Sequence, residues 1–198
     1  MRDFWSRRTP ILVAGILLLG FLWIGPLPEL APHSFSAHMT LHMGVVAVAA
    51  PLIAIGIGGR RLPPFFAPIP LSVLELIVVW AWHAPALHGA ARHGPGVMVI
   101  EQSMFFGAGL LVWLSSLHRI GTGIVALLLT AMHMTLLGAL LALTPRPLYA
   151  GHDMPGALAD QHLGGAIMLL VGGASYLAGG LWLTASLVRD GAPARRTA

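Results

Sequence analysis

Hydrophobic positions along this chain come in long, nearly unbroken runs, not in the alternation of a half-buried strand or the three-and-four spacing of a helix on a soluble surface. The runs predict helices over 11–25, 35–57, 67–84, 96–117, 122–143 and 158–188. Turn formers separate them: Gly25-Pro26-Leu27-Pro28, then Gly58-Gly59-Arg60-Arg61 with Pro63-Pro64, then Pro85 after Trp82-His83-Ala84. A helix needs about 20 apolar residues to cross a bilayer, so 67–84 is the marginal span and is expected either to begin near Phe65 or to cross with little tilt. Polar segments between runs are short and no repeat is visible, so 1–198 is expected to be one domain. The predicted fold is all-α, a polytopic membrane helix bundle of about six transmembrane helices.

Composition agrees with that pattern. The chain is 57% hydrophobic and 9% charged, against roughly 25% charged in a soluble domain, and its mean hydropathy is +0.81. Its 24 glycines and 15 prolines are better tolerated in membrane helices, where neighbouring helices re-satisfy interrupted backbone bonds. The basic start with Arg2, Arg7 and Arg8 before an apolar run resembles a signal peptide. No small-residue cleavage site follows closely, so the segment is expected to be retained as the first span.

Charge sets the orientation. All eleven basic residues are arginine. With six spans, Arg2, Arg7, Arg8, Arg60, Arg61, Arg119, Arg189, Arg195 and Arg196 fall on one side, and only Arg92 and Arg146 on the other. The positive-inside rule then makes both termini cytoplasmic. The basic balance is not a nucleic-acid signal, because no basic stripe interleaved with aromatics occurs. The partner that the composition implies is the lipid bilayer.

The same map sorts the histidines. His33, His38, His42, His83, His88, His93, His152 and His162 fall in the outer half, His133 lies inside the fifth span, and only His118 is cytoplasmic. His38 and His42 are four apart, as are Met39 and Met43, so each pair stacks on one helix face. At about 1.5 Å per residue, His42 lies roughly 10 Å and His133 roughly 15 Å below the outer ends of their helices. Glu101 and Gln102 reach a similar depth, and Asp160 opens the sixth span. Ionisable side chains inside membrane helices are costly unless they serve a site, so these positions define one.

Cysteine is absent, which removes thiolate metal sites, iron-sulfur clusters and disulfides. Imidazoles with nearby carboxylates can still hold a metal ion, and thioethers beside them lean towards copper. The expected first ligands are His38 and His42, completed by His83 and His133. Glu101 and Asp160 are expected to orient imidazoles from behind. Two alternatives remain. Facing histidines, His42 with His83 or His133, could ligate a b-type haem in an electron-transfer subunit. An outer polar cluster could also serve a proton or metal transporter, although the cytoplasmic half offers only Glu75 and His118 to continue a path. No hydrolase elbow or phosphate loop is present, so an enzyme is not expected.

Several motifs in order carry a family resemblance: Ser36-Ala37-His38-Met39 with His42, Trp82-His83-Ala84-Pro85-Ala86-Leu87, Glu101 opening a span, Pro145-Arg146-Pro147-Leu148-Tyr149, and Asp160-Gln161-His162-Leu163-Gly164-Gly165. Together they resemble the multi-span CtaG family of cytochrome c oxidase assembly factors. The resemblance implies a role in maturing haem-copper oxidases, with copper as a transient cargo and cytochrome c oxidase subunits as partners. It places His38, His42, His83, Glu101 and His162 in motif positions. The chain is shorter than larger relatives, with six apparent spans.

Overall fold

The computed structural model describes residues 2–58, 63, 66–149 and 155–191, with side chains described between residues 8 and 189. Arg60, Arg61, His152, Arg195 and Arg196, which entered the sidedness and histidine maps, lie outside the described residues, as do the side chains of Arg2 and Arg7.

Helices α1 (Arg2–Ile24) and α2 (Leu27–Leu30) meet at Gly25-Pro26. Helix α3 (Phe35–Met43) runs through a π-helical stretch, Gly44–Ala49, into α4 (Ala50–Ile57). Then come α5 (Pro68–Trp82), α6 (Pro85–His93), α7 (Pro95–His118) and α8 (Ile120–Leu143). The last span is α9 (Ala157–Ile167), a second π-helical stretch Met168–Gly172, and α10 (Gly173–Gly191). Among the described residues five helical segments are long and apolar enough to cross a membrane. The pair α5 and α6, bent by 72°, brings the count to six where the two are taken as one broken span.

Local sequence explains the breaks. Helices α5, α6 and α7 each begin on proline after an extended residue, Ala67, Ala84 and Gly94. Proline suits the first turn because its missing N–H has no helical partner there, and it pushes the preceding residue out of helical conformation. Sequence pattern alone ended the third span at Pro85; in the structure Pro85 starts a new helix, which turns His88 back over the bundle.

Pro51 shapes the second span. It has no N–H to offer the carbonyls four and five residues back, Ala47 and Val46, and the helix widens to π geometry there. Two hydroxyls of α10 replace the missing donor, Ser175 to the Ala47 oxygen and Tyr176 to the Val46 oxygen at 3.3 Å.

Helix α8 is central, packing against α5, α9 and α10. It approaches α9 at Gly138 and Gly165, where a Cβ on Gly138 would lie 2.6 Å from the Leu169 nitrogen and 2.9 Å from the Gly165 oxygen. Small residues permit that backbone approach between membrane helices. The interior is filled by Phe35, Met39, Met43, Phe105, Trp113, Met134 and Tyr176, while Leu17, Val99, Met132 and Leu143 lie on the outside. That exterior suits lipid, which has no polar groups to satisfy.

Candidate metal centre

The start of α3 is pinned twice. Ser34 caps it by accepting from the Ala37 N–H at 3.2 Å. Asp160 of α9 accepts from the Phe35 N–H at 2.6 Å, the Ser36 N–H at 3.2 Å and the hydroxyls of Ser34 and Ser36. A carboxylate there also meets the positive end of the helix dipole.

One turn further on, the His38 and His42 rings meet edge to face, with centroids 4.2 Å apart and planes at 80°. Glu101 of α7 faces both. Its oxygens each lie 3.3 Å from His38 Nε2, and Oε1 lies 3.5 Å from His42 Nε2. Helix α6 brings His88 to within 4.6 Å of His38, centroid to centroid, and α5 brings His83 to 5.8 Å from His42. All five side chains are buried, none more than 6% exposed. Ligating atoms of His38, His88 and Glu101 lie within 4.8 Å of one another, the one such metal-capable group found among the described residues.

The hydrogen bonds fix which lone pairs are free. His83 donates Nδ1–H to the Val79 carbonyl at 2.7 Å, so its Nε2 carries a lone pair and has no partner. His38 Nε2 faces Glu101, and its buried Nδ1 is unpartnered. Neither nitrogen of His88 has a partner. Gln102 lies 2.8 Å from His42 Nδ1, and the amide orientation decides which His42 nitrogen keeps its proton. Buried polar atoms without partners cost about 1–3 kcal/mol each, so several in one chamber call for a ligand.

Phe35 and Tyr149 roof the chamber, stacked at 4.7 Å and 17°, and Tyr149 also lies 4.2 Å from the His88 ring. The Tyr149 hydroxyl donates to the His83 carbonyl at 3.0 Å. Burial pushes the phenol above its ordinary range, which keeps the proton on that donor. Beyond the roof is a cavity of about 280 Å³ lined by His33, Phe35, Arg92, Tyr149 and Asp160, among others.

Of the ligands expected from sequence, His38, His42, His83 and Glu101 come together. The others are placed differently. His162 is engaged with the Thr144 carbonyl at 2.8 Å, at the end of α8. Asp160 holds the backbone of α3 and not an imidazole. His133 is buried with both ring nitrogens unpartnered, yet no ring contact, hydrogen bond or ion pair joins it to the cluster. Met39 and Met43 pack in the core, Met39 against Gly164 and the Met43 sulfur against Gly172. Position along a helix does not fix rotation about its axis, which decides what a side chain meets. His88 and Gln102 were not among the expected ligands. The sign available for His88 was Pro85, a helix start three residues upstream.

A family model described as cytochrome c oxidase caa3 assembly factor matches residues 2–190, nearly the whole chain. The chain belongs to this family. The comparisons with curated proteins and with solved structures returned no match. For a cytochrome c oxidase assembly factor, the buried cluster at one end of the bundle is the feature whose chemistry needs explaining.

Proposed function

We propose that this assembly factor is a metallochaperone that binds copper transiently at the chamber of His38, His42, His83, His88 and Glu101 and delivers it to a cytochrome c oxidase subunit, without catalysing a reaction. The observation that carries the proposal is the set of unpartnered imidazole nitrogens converging beside one buried carboxylate. Imidazole and carboxylate donors favour copper among the divalent first-row metals, and imidazole also accepts copper(I). Ligand atoms around a tetrahedral ion with bonds of about 2.0–2.1 Å sit roughly 3.4 Å apart. The 4.8 Å spread of the His38, His88 and Glu101 ligand atoms therefore supports a site that closes around its cargo and can reopen.

His38, His88 and Glu101 would bind the ion, and His83, whose Nε2 lone pair is free, would complete the set as the site closes. His42 would join when Gln102 accepts from Nδ1–H, which frees Nε2. The protein would sit in a bacterial inner membrane, and the arginine distribution supports the side on which the chamber opens, towards the periplasm. Ring packing favours an ion over a b-type haem, since His42 is wedged among His38, His83 and Phe105. Buried Val79 stands one turn from both His83 and Glu75 on α5, which favours a closed chamber over a transporter's polar route.

The test is metal analysis of protein purified under reducing conditions. Wild type should carry copper, and the His38→Ala/His42→Ala double variant should lose most of it, with oxidase activity of the host membrane falling in parallel. Unchanged copper content and oxidase activity would overturn the proposal.

A further inference from the structure

Away from the chamber, three helices and the π-helical stretch converge on one acid. Glu75 of α5 is completely buried. Thr130 of α8 donates to its Oε2 at 3.2 Å, and Tyr176 of α10 makes a short hydrogen bond with its Oε1. The Tyr176 oxygen also lies 3.3 Å from the Val46 carbonyl, which Pro51 deprives of a backbone donor. Among the described residues no ion pair reaches Glu75, and its hydrogen-bond partners on α8 and α10, Thr130 and Tyr176, are neutral hydroxyls.

The hydrogen count decides the protonation. A phenol has one proton to donate. If Glu75 were a carboxylate, Tyr176 would have to serve both Glu75 and the Val46 carbonyl, and one of two buried acceptors would go unsatisfied. If Glu75 is a carboxylic acid, every group is matched: Glu75 Oε1–H donates to Tyr176, Tyr176 O–H donates to Val46, and Thr130 O–H donates to Glu75 Oε2. Fully satisfied buried networks are favoured, and an unpaired charge inside a membrane bundle is not.

We propose that Glu75 is a proton-binding site in the interior of the bundle, where one bound proton completes a hydrogen-bond chain from Thr130 through Glu75 and Tyr176 to the Val46 carbonyl. The ligand is a proton, and holding it staples α5, α8 and α10 to the widened helix between α3 and α4. Glu75 lies on the same face of α5 as His83, two turns away, or about 12 Å at 1.5 Å per residue. Release of the proton would leave a buried charge with no counter-ion, held only by the Thr130 and Tyr176 hydroxyls, and loosen the helix that carries His83. The proposal does not depend on copper binding.

Infrared spectroscopy of the full chain in lipid nanodiscs at neutral pH tests it. The expected spectrum contains the carbonyl stretch of a protonated carboxylic acid that shifts in D2O and is lost in Glu75→Gln. In Tyr176→Phe, which keeps the acid but removes its acceptor, the same band should move to higher frequency. Should Glu75→Gln fail to fold, Tyr176→Phe and Thr130→Val each still read out the band position. Loss of carboxylate bands instead of an acid band in Glu75→Gln would overturn the proposal, as would an acid band unmoved in Tyr176→Phe.

Discussion

Asp160 offers the sharpest separation between a metal-site role and a backbone role. Its carboxylate accepts from two backbone N–H groups, Phe35 at 2.6 Å and Ser36 at 3.2 Å, and from two hydroxyls, and it touches no imidazole. In Asp160→Ala both amides lose their acceptor. A lost helix cap costs about 0.5–2 kcal/mol, and a part-buried donor left unpaired about 1–3 kcal/mol. Because the site is partly open to solvent, the expected total is about 2–4 kcal/mol, felt mainly in the first turn of α3. Since about 1.4 kcal/mol corresponds to a factor of ten, amide exchange at Phe35 and Ser36 should accelerate by roughly thirty- to several-hundred-fold. His38 follows within one turn, so metal affinity should fall too, while Asp160→Asn, with one acceptor oxygen left, should fall between. Hydrogen exchange with mass spectrometric detection on the protein in nanodiscs reads the first effect directly. Unchanged exchange at Phe35 and Ser36 together with weakened metal binding would refute the reasoning, because it would show Asp160 acting on the metal without holding the helix.

Three further outcomes are expected. Gly138→Leu would drive a side chain into the Leu169 and Gly165 backbone, where even a Cβ would be at 2.6 Å, and should lower the thermal midpoint of the solubilised protein by several degrees; an unchanged midpoint would show that α8 and α9 do not meet there. Ser175→Ala removes the donor to the Ala47 carbonyl and should cost about 1–3 kcal/mol in a denaturant titration, whereas a neutral result would mean that the π-helical stretch satisfies its own carbonyls. His88→Ala should reduce copper affinity at least tenfold, and His162→Ala should leave it within about twofold, because the His162 ring is bonded to the Thr144 carbonyl. Equal losses in both would contradict the separation of those two histidines.

The spans were legible because a bilayer demands uninterrupted apolar length, and that demand is written into each run from 11–25 to 158–188. His38, His42, His83 and Glu101 were legible because each is a polar residue at matching depth. Depth along a helix, however, leaves rotation about its axis undetermined. His133 is buried but makes no bond or ring contact with the cluster among the described residues, and Met39 and Met43 turn towards the last span although they adjoin His38 and His42. Asp160 and His162 stand at a helix start and were read as metal partners, but helix ends have unpaired backbone groups of their own, and these two side chains satisfy them. His88 was obscured because its segment is too polar to read as a span. Only the 72° turn at Pro85, which folds α6 over the cluster, brings it beside His38.

The central claim is that imidazoles and one carboxylate, and not thioethers, hold the copper cargo. X-ray absorption at the copper edge of the reduced, copper-loaded protein tests it most directly. The account predicts a shell of nitrogen or oxygen scatterers at imidazole distance that weakens in His38→Ala and His88→Ala. A sulfur shell contributed by Met39 or Met43, or a copper signal indifferent to both substitutions, would contradict it.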